Sequence, residues 1–361
     1  MNVKDIRRDL HQIPELGRCE YQTKEYIINK LTNLNCEVFE VCNTGVVAFF
    51  NASKKKTICF RADMDGLSIL EKTNLDFCSK HVGVSHACGH DGHMAMLLAF
   101  ANWATENIKS LTANIVCLFQ PSEEEKAGAR DIIADGILDR LAVEEIYGFH
   151  IWPGLKEKQI FSCPSGLLAS SSEVDIEIFG KGCHAANRSL GIDALLVASR
   201  LIEAYYKEAL EVQGKHLVSF GKLVAGNARN SVADYAKIEA TFRTFDDQTM
   251  TELINKLETL ASEFEEKTNA RIKINANTLY KSVINSLELF ERYQELLKIN
   301  LIKEPFLQAE DFGCYTRKYK AMFMLLGAGD APMLHTDNFD FNMDILETGV
   351  AAYIKIASSS K

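Results

Sequence analysis

Four apolar runs constrain this chain more than any other feature: "KTICFRA", "ANIVCLFQP", "EEIYGFH" and "AMFMLLGAG". Runs of this kind, rich in β-branched and aromatic residues, describe strands buried on both faces. The first three are separated by helical patterns, one from Asp91 to about Glu106 and one over "GARDIIADGILD". They are preceded by a helix, "EYQTKEYIINKLTNL", and two further strands, "EVFEV" and "GVVAFFN". Strands alternating with helices predict an α/β domain whose sheet is largely parallel and covered by helices.

The pattern changes after "CPSGLLA". "SSEVDIEIFG" alternates apolar and polar with period two, the mark of a half-exposed strand. A long helix over "GIDALLVASRLIEAYYKEAL" follows, then the strands "HLVSFGKLVAG" and "YAKIEATFRTF", a helix over "QTMTELINKLETLASEFEEKT", and the strand "ARIKINANTLY". This β-α-β-β-α-β order predicts a ferredoxin-like α+β domain inserted into the larger one. The expected organisation is a first catalytic part over 1–167, an insertion over 168–280, and a second catalytic part over 281–361.

Composition narrows the partners. A hydrophobic content of 47%, with 25% charged residues, is that of a globular protein. A formal net charge of −9 argues against nucleic acid or an anionic membrane as main partner. The opening residues carry no apolar signal core, and no apolar run is long enough to span a bilayer. The ten cysteines show no regular spacing, and Cys59 and Cys117 sit inside strand-like runs. Reduced thiols and a cytoplasmic location are therefore expected.

Chemistry-bearing residues collect where the buried strands end. Asp63 and Asp65 follow the first run, Glu123 and Glu124 the second, His150 ends the third, and His335 lies a short loop beyond the fourth. Open α/β sheets gather ligands at this rim. A fifth group is "SHACGHDGHMAML", Ser85 to Leu97. Cys88 and His90 stand two apart and would diverge on a helix, so they converge only if Gly89 turns the chain, with Asp91 then capping the following helix. Taken singly, the groups have ordinary readings: "EEE" as a solvated turn, His150 as a buried histidine beside Trp152, Cys88 as a small hydrophobe. His11, His81 and His216 are read as structural or surface residues, and His86 and His93 stay open. Together, imidazoles, one thiol and paired carboxylates make a mixed N/O/S donor set, richer than one tetrahedral ion needs and suited to a pair of divalent ions.

The motifs "RRDLHQIPELG", "RADMDGLSI", "HACGHDGHMAML", "FQPSEEEKAGAR", "GFHIWP", "GKGCHAA", "GNARNSVADYAKIEATFRT", "AEDFG" and "LLGAG…LHTDNF" occur in this order nearly end to end. In them the chain resembles the metallo-aminoacylases and amidohydrolases related to the co-catalytic dizinc peptidases. The branch is that of hippurate hydrolase, N-acetyl-diaminopimelate deacetylase and indole-acetyl-amino-acid hydrolase. The resemblance implies metal ligands at Cys88, His90, Glu124, His150 and His335, with Cys88 bridging two ions of zinc, manganese, nickel or cobalt. It implies a general base at Glu123 and an orienting carboxylate at Asp65. In the insertion it implies oxyanion stabilisation by His184, often from a partner subunit, and substrate-carboxylate contacts from Asn230 and Arg243. Cys183 stands where the family commonly has glycine, and prolines frequent after Asn230 and near His335 are missing.

The implied activity is metal-dependent hydrolysis of the amide bond of an N-acyl-amino acid, in a homodimer paired through an insertion that closes over a small-molecule substrate. Two other readings stand beside it. One is a dipeptidase or aminopeptidase on the same site, for which no carboxylate is clearly spare to bind a free α-amine. The other is a non-catalytic metal- or ligand-binding homologue, which would have no need of Glu123.

Overall fold

The structure, a computed structural model, describes residues 1–359. In chain order the elements begin with α1 (Val3–His11), α2 (Tyr21–Leu31), β1 (Glu37–Val41), β2 (Gly45–Phe50), β3 (Thr57–Asp63), α3 (His90–Glu106) and β4 (Asn114–Gln120). Next come α4 (Glu123–Lys126), α5 (Gly128–Asp135), α6 (Ile137–Arg140), β5 (Val143–Trp152), β6 (Ile160–Ser162) and β7 (Gly166–Leu168). They are followed by β8 (Ser170–Phe179), α7 (Ala194–Ala209), β9 (His216–Ala225), β10 (Tyr235–Thr244), α8 (Asp247–Thr268) and β11 (Arg271–Tyr280). The last are β12 (Val283–Ile284), α9 (Leu287–Leu297), β13 (Asn300–Leu301), β14 (Lys320–Gly327) and α10 (Ile345–Ser359).

These elements divide into two compact units. One comprises residues 1–167, 283–304 and 311–361, the other 168–282 and 305–310. The first holds an eight-stranded sheet in the order β1-β2-β4-β3-β5-β14-β6-β13. Its centre, β4-β3-β5-β14, is parallel. Every residue of β3 and β4 is buried, as their unbroken apolar runs require. The edges depart from the parallel expectation. β1 and β2 form an antiparallel hairpin whose turn places Cys42 and Asn43 at positive φ, and β6 runs antiparallel to β14. α3 packs on the sheet and is itself covered by α1 and α10, so it is buried along nearly its whole length. α1 was not foreseen, because two of its inward residues, Arg7 and His11, are polar.

The second unit has four antiparallel strands in the order β11-β8-β10-β9, the ferredoxin-like arrangement. Val174, Ile176 and Ile178 of β8 pack with Ala198, Leu201 and Tyr205 of α7 and Leu253 and Leu257 of α8. Strand β9 forms one edge of this sheet, with Val224 exposed.

Candidate metal centre

The centre is assembled at the carboxyl ends of the parallel strands of the first unit. Asp63 ends β3 and Asp65 follows it; Ser122 to Glu124 follow β4; His150 lies near the end of β5; His335 comes after β14. Gly89 adopts φ +84°, a left-handed conformation that an L side chain would strain. That turn swings Cys88 and His90 to the same side, and α3 begins at His90.

Cys88, His90 and His150 then offer donor atoms within 4.8 Å of one another, and so do Cys88, Glu124 and His335. Cys88 Sγ lies 3.4 Å from His150 Nε2 and 3.3 Å from His335 Nε2. Glu124 Oε1 lies 3.2 Å from His335 Nε2 and 3.8 Å from His90 Nε2. Donors bonded to one ion at ~2.0–2.3 Å in tetrahedral geometry stand roughly 3.5 Å apart. The separations match that spacing.

Two of the imidazoles, His90 and His150, have their other nitrogen occupied, which sets their tautomer when neutral. His90 Nδ1 donates to the Asp65 carbonyl at 2.9 Å, with Asp65 Oδ1 at 3.2 Å. His150 Nδ1 donates to the Ile151 carbonyl at 2.7 Å. The lone pairs on Nε2 are thereby turned inward, as ligands to a metal require. Asp65 Oδ2 also accepts the backbone N–H of Glu124 at 3.0 Å, tying the glutamate turn to His90. Among the described residues, His90 Nε2 is buried with no hydrogen-bond partner. Buried polar atoms rarely stay unsatisfied, so this nitrogen, grouped with the Cys88 thiol and the Glu124 carboxylate, fits a cation.

Without a cation, the electrostatics favour the protonated form at two of the donors and the neutral form at a third. Burial, then the charges of Glu124 and Glu123, push the Cys88 thiol well above its ordinary range. Burial and the neighbouring His93 hold His150 neutral, with a pKa lowered to about 3. Burial works against a charge on His90, yet Asp63, Asp65 and Glu124 raise it to about 10. Cys88 as thiolate and His90 as neutral imidazole are forms that a bound cation would favour.

Glu123 is buried and accepts the Asp311 backbone N–H at 3.3 Å through Oε1, close to both His90 and Glu124. Of the run "EEE" only Glu125 is exposed. In the second unit, His184 and Asn230 are exposed and line one cleft of about 350 Å³ with Cys183 and Asp234. Arg243 is half-buried on β10 and donates to the Leu307 carbonyl at 3.0 Å.

Sequence reasoning missed the supports. Arg61, fully buried, bonds Asp63 and Asp311 at 2.6 Å each and Gln120 at 2.9 Å. Asp63 receives His93 Nδ1–H at 2.5 Å, and His93 Nε2 accepts the Ile151 N–H at 2.9 Å. This settles His93: both nitrogens are engaged, and it locks the strand that carries His150. Burial opposes a charge on Asp63, but His90, His93 and Arg61 hold its carboxyl well below the usual range. Asp91 is not a cap. The residue before α3 is Gly89, and Asp91 lies in the first turn, bonded to Arg7 Nε at 3.0 Å and His11 Nδ1 at 2.7 Å. Its partners lie some eighty positions away, where local spacing gives no signal.

A parallel sheet that gathers imidazole, thiol and carboxylate donors beside a buried glutamate is the build of a metallohydrolase. The chain belongs to peptidase family M20/M25/M40, whose profile matches residues 59–359. It is similar to an N-acetyldiaminopimelate deacetylase of Bacillus velezensis, 33% identical over 96% of this chain and 95% of the relative. A hippurate hydrolase of Campylobacter jejuni is 30% identical over 98% and 94%. Among solved structures, a dinuclear metal binding peptidase of the M20 family from Bacillus subtilis superposes with a TM-score of 0.86, at 28% identity over 99% and 96%.

Proposed function

We propose that the protein is a dinuclear metal-dependent amidohydrolase that cleaves the amide bond of an N-acyl-amino acid, releasing a carboxylic acid and the free amino acid. The observation that carries this reading is the shared thiol. Cys88 belongs to two donor groups at once, one with His90 and His150 and one with Glu124 and His335. The names of the two curated relatives, a deacetylase and a hippurate hydrolase, agree with it. One divalent ion would be held by the first group and a second by the other; zinc, manganese, nickel and cobalt all suit such donors.

When bound, the ions supply an activated water at neutral pH and draw charge from the acyl carbonyl. Glu123 acts as general base: its carboxylate takes a proton from the attacking water as the C–O bond forms, and returns it to the nitrogen as the C–N bond breaks. Asp65 keeps His90 in its ligand tautomer. We assign His184 to the oxyanion and Asn230 and Arg243 to the substrate's carboxylate; the support is the family pattern, and the planar, permanently charged guanidinium suits a bidentate contact. A homodimer is proposed through the β9 edge, where unpaired backbone groups invite a second strand. A cytoplasmic location is proposed because all ten cysteines are free thiols.

The test is amide hydrolysis on acetyl-, benzoyl- and indole-acetyl-amino acids, with chelated protein and after addition of Mn²⁺, Zn²⁺, Co²⁺ or Ni²⁺. Metal-dependent release of the free amino acid is expected. Stoichiometric metal without turnover on any amide would overturn the reading.

A further inference from the structure

The motif "IPELGRCE" near the start of the chain has no part in the donor set, yet its last residue reaches the centre from inside the fold. Glu20 is fully buried. Its Oε1 accepts the backbone N–H of Ser122 at 2.8 Å, across 102 positions of sequence, and its Oε2 accepts the Thr44 hydroxyl at 2.7 Å. One carboxylate thus satisfies two buried donors from two distant segments.

Ser122 is the residue on which the glutamate pair pivots. It adopts φ +58° and ψ +47°, a left-handed conformation unusual for serine, and Glu123 follows it directly. Residues in such conformations persist only where their surroundings over-determine them. Here three contacts do so: Glu20 on the Ser122 N–H, the Gly128 N–H on the Ser122 carbonyl at 2.9 Å, and Asp65 on the Glu124 N–H at 3.0 Å. Gly17 lets the same segment press against the turn, since a Cβ there would stand 2.8 Å from Ser122 Oγ. The segment is itself anchored by Glu15, whose Oε2 accepts the Thr23 N–H at 3.0 Å and its hydroxyl at 3.1 Å at the start of α2.

We propose that Glu20 is a positioning residue: by holding the left-handed turn at Ser122 it sets the direction in which the Glu123 carboxylate points, on the reading that Glu123 is the general base. It touches no substrate and acts through the backbone. Glu124 is held independently through Asp65, so loss of Glu20 misdirects Glu123 more than it releases Glu124.

The experiment compares Glu20→Ala, Glu20→Gln and wild type, metal-loaded, in steady-state hydrolysis, together with hydrogen exchange of the metal-free proteins. Glu20→Ala is expected to lower kcat about 10- to 100-fold with KM unchanged and two ions retained, as misplacement of a reacting group does. Glu20→Gln is expected to restore most of the rate, because its amide oxygen still accepts from Ser122 and its NH₂ can donate to the Thr44 oxygen. Exchange over residues 121–128 should rise about 10-fold in Glu20→Ala while β3 and β4 stay protected. Wild-type kcat in Glu20→Ala, or equal impairment in Glu20→Gln, overturns the proposal, as does faster exchange spread evenly over α2 and β2. If Glu20→Ala fails to fold, Glu20→Asp, one methylene too short to reach both donors, must show the same loss of kcat. A wild type inactive on every amide would refute the functional reading, and the exchange pattern would still judge the clamp.

Discussion

His11 makes stability depend on pH over a window that few buried groups create. Its ring is 2% exposed and lies between Asp91 at 2.7 Å and Glu71 at 3.2 Å. Burial opposes a charge there, yet the hydrogen bonds to Asp91 and Glu71 prevail and raise its pKa from 6.5 to about 9. A group bound more tightly to its proton in the folded state contributes stability that is fully present below its unfolded pKa and lost as pH rises through the folded one. For His11 the contribution is complete below pH 6.5 and fades by about pH 9. The interval corresponds to roughly 3 kcal/mol, a substantial share of the ~5–15 kcal/mol typical of folded proteins. The assay is thermal unfolding of wild type and His11→Gln across pH 6 to 10, where the difference between the two isolates His11 from other titrating groups. At ~2–4 °C per kcal/mol, the gap between their melting temperatures should narrow by about 6–12 °C over that range. Melting curves that stay parallel from pH 6 to 10 would refute the reasoning and show that His11 is neutral in the fold.

Glu123→Gln removes the base but no proposed ligand, so turnover should fall about 10²- to 10⁴-fold while elemental analysis still finds two ions. Metal uptake at pH 7 should release about two protons per pair of ions, from the Cys88 thiol and the His90 imidazolium. Isothermal titration in buffers of different ionisation enthalpy measures this directly, and affinity should rise with pH. Asp63→Asn removes one of the two carboxylates paired with Arg61, leaving Asp311, and should destabilise the first unit by about 1.5–3 kcal/mol, read as a lowered midpoint in denaturant.

The main strands were legible because their burial is written as unbroken apolar runs, and the inserted unit because its strands alternate with period two. The turn at Gly89 was legible too, since two ligands two residues apart cannot share a helix face. What the sequence concealed is polar and distant. Arg61 stands inside a buried strand as if part of its apolar run, while its partners Asp63, Gln120 and Asp311 come from three segments. Glu20 and Ser122 are joined only by folding. The run "EEE" shows the same limit: Glu123 is buried just after a left-handed turn at Ser122, which no local pattern announces.

The central claim is that Cys88 is common to two ions. Anomalous diffraction at the metal absorption edge, on crystals grown with Mn²⁺ or Zn²⁺, locates the ions directly. The account predicts two peaks about 3.5–4 Å apart, both within bonding distance of Cys88 Sγ, one beside His90 and His150 and the other beside Glu124 and His335. A single peak, or two peaks with Cys88 bound to neither, would contradict it.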